Sequence, residues 1–232
     1  MSVESVGEDS NTDPLLTVGP ETVELRGLRH SLISGERYSV ECRAIGSRPP
    51  PIISWRLGDS LINVLQTKLE TSNDHNVTTS TISLLAEPDH HGKTISCTAE
   101  VPGLEDSAME AKSDLNVHFI SSARLSLGSS MKLEDVKEGD DVYLECEVDS
   151  NPRPDRIFWY RNVRDSLLAS VPHSHVQGEA VRQDVTGGVI LSNLTLVLQR
   201  VSSTIRGDYT CVADNSEGSV TSNSLSLNIK CK

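Results

Sequence analysis

The sequence has few aromatic residues and no long apolar run. Only 3% of its 232 residues are Phe, Trp or Tyr, against 36% hydrophobic residues overall, which is little material for one large core. No apolar run approaches the roughly 20 residues that cross a bilayer, and Met1 is followed by neither a basic nor an apolar leader segment. These absences favour two small cores, with no secretory signal and no membrane span visible in the chain.

Acidic residues outnumber basic ones, with 33 Asp and Glu against 21 Lys and Arg and a net charge of −12. Residues 1–24 contain several acidic residues and no Lys or Arg. We therefore expect residues 1–18 to form an acidic, disordered leader. A strongly acidic chain disfavours nucleic acid and anionic membrane surfaces as partners.

Sequence motifs for catalysis or metal binding are missing. The chain contains no GxSxG, HExxH, Walker-type, GxGxxG or CxxC pattern. His90-His91 and His173-x-His175 lie in polar turn or loop segments with no carboxylate at ligand spacing, so we interpret them as surface histidines. We expect no enzyme activity, no cofactor and no metal.

An internal repeat organises the chain. Cys42 and Cys146 are 104 residues apart, and so are Trp55 and Trp159, so each Cys precedes its Trp by 13 residues. Such a fixed offset indicates duplication of one structural unit. We predict one domain over residues 19–120 and a second over residues 121–232.

The later cysteines are further apart than the earlier ones. Cys97 and Cys211 are separated by 114 residues, so the second copy carries ten extra residues. We place them within the polar residues 170–188, as a long loop or an added edge hairpin.

Hydrophobic residues alternate with polar ones at period two around the cysteines. Val142, Leu144 and Cys146 are one such segment, and turn signals such as residues 138–141 (EGDD) separate the segments. Short alternating strands between turns predict antiparallel sheets with one buried face each. We therefore predict an all-β protein.

The Cys and Trp spacing resembles that of immunoglobulin domains, whose strands are lettered A to G in chain order. The resemblance implies two tandem immunoglobulin-like sandwiches of the I-set or C2 type. In each, a disulfide joins strands B and F and packs against a core tryptophan on strand C. The implied disulfides are Cys42–Cys97 and Cys146–Cys211, the core tryptophans are Trp55 and Trp159, and Cys231 is left unpaired. Such disulfides indicate an oxidising compartment.

The second copy also contains the Tyr of an immunoglobulin tyrosine corner. Tyr209 stands two residues before Cys211, as that motif requires. In the first copy the matching position is Ile95. We expect the turn between strands E and F of the first copy to be held by another group.

Within the immunoglobulin superfamily, several stretches resemble the Sidestep family of neuronal cell-surface receptors. They are residues 46–50 (GSRPP), 127–130 (LGSS), 138–143 (EGDDVY), 191–199 (LSNLTLVLQ) and 211–218 (CVADNSEG). The resemblance implies central ectodomain domains of a single-pass membrane glycoprotein that binds Beaten path type immunoglobulin proteins during axon guidance. On this interpretation the chain is an extracellular fragment that does not itself enter the membrane.

Two N-x-S/T sequons are candidates for N-glycosylation, at Asn76 and Asn193. We predict that Asn193 lies on strand E and points away from the core, because Leu194, Leu196 and Leu198 alternate with it. A glycan there would cover the sheet of strands A, B and E and leave the C–F–G face free.

The outward residues of strand C in the second copy are candidates for partner binding. With Trp159 buried, the alternation places Arg156, Phe158 and Tyr160 on the outer C–F–G face, together with Val212 of strand F. Aromatic and Arg side chains are enriched in interface hot spots. Alternatively, the extra C′ region or a neighbouring domain covers them. The first copy presents a smaller, more polar set, namely Ile52, Ser54, Arg56 and Thr98.

These observations support two hypotheses. In the first, the domains belong to an adhesion or axon-guidance receptor and act by protein–protein recognition. In the second, they are spacers that hold a distal recognition domain away from the membrane. Binding of cell-surface proteins by the fragment alone distinguishes the two.

Overall fold

A computed structural model describes residues 17–62, 68–72, 76–129, 131–162 and 178–230. Within these ranges the regular structure consists of β-strands and three short 3-10 turns, with no α-helix. The chain divides into two compact units, called unit 1 and unit 2, between Val117 and His118. That division lies three residues before the predicted domain boundary. The all-β prediction is confirmed.

The described part of unit 1 contains nine strands. They are β1 (Thr22–Arg26), β2 (Leu32–Ile33), β3 (Arg37–Ile45), β4 (Ile52–Leu57), β5 (Ser60–Leu61), β6 (Lys68–Thr71), β7 (Val77–Leu85), β8 (Thr94–Glu100) and β9 (Met109–Asp114). One sheet has the order β1-β3-β7-β6, and the other has the order β5-β4-β8-β9. In immunoglobulin lettering these are the A–B–E–D and C′–C–F–G sheets.

Alternation along the strands builds the core of unit 1. Tyr38, Val40 and Cys42 of β3 are buried, whereas Ser39, between the first two, is exposed. Trp55 of β4 is buried against the same interior from the other sheet. Successive strand residues point to opposite faces, so the period-two pattern decides which side chains fill the space between the sheets.

The described part of unit 2 also contains nine strands, of which β10 begins at the last residue of unit 1. They are β10 (Val117–Leu127), β11 (Val142–Asn151), β12 (Arg156–Asn162), β13 (Glu179–Ala180), β14 (Val189–Ser192), β15 (Thr195–Leu198), β16 (Gly207–Asn215), β17 (Gly218–Thr221) and β18 (Leu225–Leu227). One sheet contains β14, β15, β11 and β10 in that order; the other has the order β13-β12-β16-β17, with β18 also paired to β16.

A side chain extends the strand pairing of unit 2 between its two sheets. The Asn223 side chain accepts a hydrogen bond from the Leu125 N–H at 2.9 Å and donates one to the Leu125 carbonyl at 3.0 Å. The amide of Asn223 thus makes the pair of bonds that a facing strand residue makes. It joins β10, the first strand of unit 2, to the connection between β17 and β18.

Two predicted segments differ in detail from the structure. Val18, the last residue of the predicted leader, instead forms a bridge with Arg48, with N···O distances of 2.7 and 2.9 Å. Its backbone groups are satisfied by the edge of unit 1. Residues 1–16 of the leader lie outside the described residues.

The extra chain of the second copy is inserted between strands C and C′. Two residues separate β4 from β5, whereas sixteen, 163–178, separate β12 from β13. Of the predicted insertion, residues 178–188 contain β13 and the turn before β14. Residues 163–177 lie outside the described residues.

Candidate partner-binding surface

The surface rests on a disulfide and a tryptophan in each unit. Cys42 is joined to Cys97, and Cys146 to Cys211, with Cα–Cα distances of 6.3 Å in both. These are the pairs that the immunoglobulin resemblance implied. Trp55 lies directly opposite Cys97 in the strand pairing, and Trp159 lies directly opposite Cys211. Each indole therefore faces the interior beside its disulfide.

Trp55 has a buried hydrogen-bond partner that the sequence analysis did not identify. Its indole Nε1–H donates to the Ser80 hydroxyl at 2.9 Å, and both side chains are almost fully buried. A buried indole N–H needs such a partner. Ser80 lies on β7, directly opposite Cys42. A Ser in alternation with the inward-facing Ile82 and Leu84 was the available signal.

Tyr209 forms the turn-fixing contact of unit 2. Its hydroxyl donates to the Ile205 carbonyl, four residues upstream, at 2.7 Å. The side chain is buried, and burial raises the pKa of Tyr209 above its ordinary value, while the nearby Arg161 guanidinium opposes the increase. The contact ties β16 to the short 3-10 turn Ser203–Ile205.

The same turn in unit 1 is held by a histidine. His90 ends the 3-10 turn Pro88–His90, and its Nδ1 accepts a hydrogen bond from the Glu87 N–H at 3.3 Å. Its Nε2 lies 3.6 Å from a Glu87 carboxylate oxygen. Because Nδ1 accepts, the neutral ring carries its hydrogen on Nε2. Ile95 fills the interior where unit 2 has the tyrosine ring, and it is fully buried.

The outer face of the C–F–G sheet of unit 2 presents an aromatic residue between polar neighbours. Phe158 is 39% exposed and lies directly opposite Val212, while Tyr160 lies opposite Thr210. Residues paired across antiparallel strands share a face, so these four side chains form one patch. We call it the Phe158 face and include Arg156, which lies two residues before Phe158.

Arg156 contacts two side chains at one end of this face. Its guanidinium carbon lies 5.6 Å from the centre of the Phe158 ring, and Nη2 lies 3.6 Å from an Asp214 carboxylate oxygen. Asp214 in turn accepts a hydrogen bond from the Ser219 hydroxyl at 2.6 Å. The cation lies within range of a favourable cation–π contact. Because the Arg156 side chain is 70% exposed, these are weak surface contacts.

The corresponding face of unit 1 is aliphatic and charged. Ile52 is 63% exposed and lies opposite Glu100, and Ser54 lies opposite Thr98. Arg56 lies opposite Leu61, which is also largely exposed. The structure thus adds Leu61 to the four residues that the sequence placed on this face, and the described part of the face contains no aromatic side chain.

An apolar row on the other sheet of unit 2 was missed by the sequence analysis. Tyr143, Val197 and Ile190 lie directly opposite one another on β11, β15 and β14. Tyr143 is 44% exposed. We call this set the Tyr143 row. The alternation of Val142 and Leu144 with Tyr143 already indicated that the ring points outward, but not that two further apolar side chains lie beside it.

Both sequon asparagines are exposed, but one lies elsewhere than predicted. Asn193 lies in the two-residue turn between β14 and β15, at φ 45°, rather than on strand E. The hairpin places Thr195, not Asn193, at the start of the strand. Asn76 precedes β7, and the Thr78 of its sequon is buried.

Other sequence features give the surface no further groups. Cys231, His173 and His175 lie outside the described residues. Among the residues that are described, no three His, Cys, Asp or Glu side chains come together as a metal-binding group. In that same part of the chain no helix is long and apolar enough to pass through a bilayer.

Comparison with protein families identifies both units. Residues 18–108 match the family of CD80-like C2-set immunoglobulin domains, and residues 126–215 match a second immunoglobulin domain family. A solved structure of the mouse nectin-like molecule 4 ectodomain aligns with 93% of this chain and 66% of its own, with a TM-score of 0.67 and 22% identity. The tandem immunoglobulin architecture is confirmed.

The related proteins are cell adhesion molecules. Cell adhesion molecule 3 of Xenopus laevis is 26% identical over 202 residues, which cover 86% of this chain and 45% of the relative. Human cell adhesion molecule 1 is 22% identical over 212 residues, covering 91% of this chain and 43% of the relative. The chain spans less than half the length of these relatives.

These relatives bear on two of the sequence predictions. They belong to a non-enzymatic family, so the prediction that the chain is not an enzyme is confirmed. They are cell adhesion molecules rather than Sidestep receptors, and the narrower family assignment gains no support from them. The chain consists of two tandem immunoglobulin domains of the immunoglobulin superfamily, similar to those of the cell adhesion molecules and nectin-like molecules.

Proposed function

We propose that the chain is an extracellular part of an immunoglobulin-superfamily adhesion receptor and binds a protein partner through the Phe158 face. The partner we expect is another cell-surface protein of the same superfamily. The relatives that carry the word adhesion in their names support this class of function. The disulfides support an oxidising, extracellular location.

The observation that carries the proposal is the exposure of Phe158 beside Arg156. Phe158 keeps 39% of its surface accessible, and Arg156 lies over its ring. Burying an aromatic ring removes a large apolar area from water, which favours binding. Because the side chain has only two torsions, the cost in side-chain entropy is small.

Binding to a panel of cell-surface immunoglobulin proteins tests the proposal. The change is Phe158→Ser in the full chain, and the control is Tyr143→Ser, which removes an aromatic side chain of similar exposure from the other sheet of the same unit. A hot-spot aromatic contributes about 2 kcal/mol or more, so we expect the dissociation constant to rise at least ~30-fold for Phe158→Ser. Tyr143→Ser is expected to leave it unchanged.

Two results would contradict the proposal. If Phe158→Ser binds a partner of the wild-type chain with unchanged affinity, the partner does not bind through the Phe158 face. Failure of the wild-type chain to bind any member of the panel would favour the alternative, in which these domains are spacers beneath a distal recognition domain.

The narrower hypothesis concerns the partner. The Sidestep-like stretches predict a Beaten path type protein as partner and a role in axon guidance. Including such proteins in the binding panel tests this prediction separately, because binding to a different superfamily member would keep the adhesion proposal and remove the guidance one.

A further inference from the structure

We propose that Asn193 carries an N-linked glycan and that this glycan lies over the Tyr143 row of the same sheet. The inference requires that the chain is exported, as the proposed function does. It assigns an occupant to the outer A–B–E–D face of unit 2, the face opposite to the one proposed for the partner.

The Tyr143 row is an apolar surface that the core does not use. Ile190, Val197 and Tyr143 pair with one another across three neighbouring strands and therefore share one face. Their sequence neighbours Leu144, Leu196 and Leu198 belong to the buried core cluster, whereas none of the three does. The row consequently points away from the interior.

Gly128 lies against the base of the Tyr143 side chain. Its N–H donates to the Tyr143 carbonyl at 2.9 Å, so the two residues lie side by side. A Cβ at this position would lie 3.2 Å from the Tyr143 Cβ, closer than most real contacts. A side chain at position 128 would therefore press on the start of the Tyr143 side chain, and glycine avoids that contact.

The sequon lies at the end of the same face. Thr195 pairs with Ser192 and Glu145, which places these three on the outward row between the hairpin turn and the Tyr143 row. Two residues of strand separate the rows, or about 7 Å, and Asn193 lies about 10 Å from the level of Ile190. The first sugars of an N-glycan extend over a comparable length, so a glycan on Asn193 reaches the row.

The chemistry of the glycan suits this surface. Sugar rings present C–H faces and acetamide methyl groups that pack on tyrosine and aliphatic side chains, while their hydroxyls remain in water. Attachment within the same hairpin gives the glycan a high effective concentration at the row compared with a free partner. The covered area would otherwise be an exposed apolar surface near a polar row.

The turn itself offers a competing explanation for Asn193. Its φ of 45° lies in the left-handed region, which Asn adopts more readily than most residues. Asn193→Gly keeps this turn and removes the attachment site. Thr195→Ser keeps the sequon, whereas Thr195→Val removes it with nearly the same side-chain shape. These variants separate the role of the turn from that of the sugar.

The first experiment measures occupancy. The full chain is secreted from cultured eukaryotic cells behind an added signal, treated with peptide-N-glycosidase, and mapped by mass spectrometry. We expect sugar on Asn193 in the wild type and in Thr195→Ser, and none in Thr195→Val or Asn193→Gly. Secreted protein with both disulfides formed and a bare Asn193 would overturn the inference.

The second experiment tests the packing. Thermal unfolding midpoints are compared for the wild type, Asn193→Gly, Tyr143→Ser and the double variant, so that any sugar on Asn76 is common to all four. We expect loss of the glycan to lower the midpoint by several degrees when Tyr143 is present and by much less when it is Ser. Equal shifts would overturn the packing on the row.

The two proposals fail in distinguishable ways. A glycan on Asn193 together with unchanged partner affinity of Phe158→Ser would contradict only the proposed function. A bare Asn193 in a secreted chain whose partner binding depends on Phe158 would contradict only the glycan.

Discussion

Unit 1 and unit 2 each bury an equivalent disulfide and tryptophan, but different groups hold the turn between strands E and F in the two units. In unit 2 the Tyr209 hydroxyl binds the Ile205 carbonyl from within the core. In unit 1 Ile95 fills that interior position, and the His90 ring binds the Glu87 N–H on the outside of the turn. The sandwich requires that the turn be held, but it does not require that one particular side chain hold it.

The outer faces differ more than the interiors. Unit 2 presents Phe158 beside Arg156 on the C–F–G side, while unit 1 presents Ile52 and Leu61 among charged residues. Interior positions are constrained by the space between two sheets. Outer positions are free of that constraint, so duplicated domains can diverge there and acquire separate binding roles.

The largest expected effect comes from removing either disulfide. Closure of loops of 55 and 65 residues stabilises each unit by about 4 kcal/mol in the chain-entropy model. We therefore expect Cys42→Ala/Cys97→Ala and Cys146→Ala/Cys211→Ala to destabilise their own units by similar amounts. Urea denaturation followed by residue-resolved hydrogen exchange measures both. A much smaller loss of stability in one unit would show that the two disulfides do not stabilise their units equally.

Ser80→Ala is expected to have the next largest effect, confined to unit 1. It leaves the buried Trp55 indole N–H without its partner, which costs about 2 kcal/mol. Ser83→Ala, an exposed position on the same strand, is the matched control and should change stability by less than about 0.5 kcal/mol. Equal stabilities of the two variants in urea would show that the indole bond contributes nothing.

Tyr209→Phe tests the turn contact of unit 2 and should cost about 1.5 kcal/mol, because the Ile205 carbonyl loses a buried donor. Tyr143→Phe, which removes an exposed hydroxyl, is the control.

The raised pKa of Tyr209 also predicts a dependence on pH. Since the folded state retains the phenol proton more strongly than the unfolded chain, the stabilisation is complete below the unfolded pKa of about 10 and is lost as the pH rises through the folded value. Unit 2 of the wild type should lose stability above about pH 10, and Tyr209→Phe should lose less. Parallel pH profiles of the two proteins would contradict this.

His90→Ala tests the corresponding contact of unit 1 and should have the smallest effect, about 0.5 to 1 kcal/mol, because the contact lies at the surface of the turn. Thermal unfolding of unit 1 measures it, with the turn's amide exchange as a local probe. A loss as large as that of Tyr209→Phe would mean that the two turns are tied equally strongly.

Much of the fold follows from local patterns. The repeat of Cys and Trp and the period-two alternation predicted two all-β domains and placed Phe158 and Tyr160 outward, while the resemblance to immunoglobulin domains implied that each is a sandwich. Strand ends were harder to predict. Asn193 lies in a turn because β15 begins only at Thr195. Val18 was assigned to the leader, but its backbone pairs with that of Arg48 in unit 1.

The sequence by itself determined which residues face inward, since that depends on the alternation of side chains along each strand. Only the tertiary structure decided which side chains meet. Ser80 contacts Trp55 because the two sheets of unit 1 pack face to face, and Ile190, Val197 and Tyr143 form one row because strand pairing brings their segments into register. Register depends on backbone hydrogen bonds and packing between strands, and no single segment contains that information.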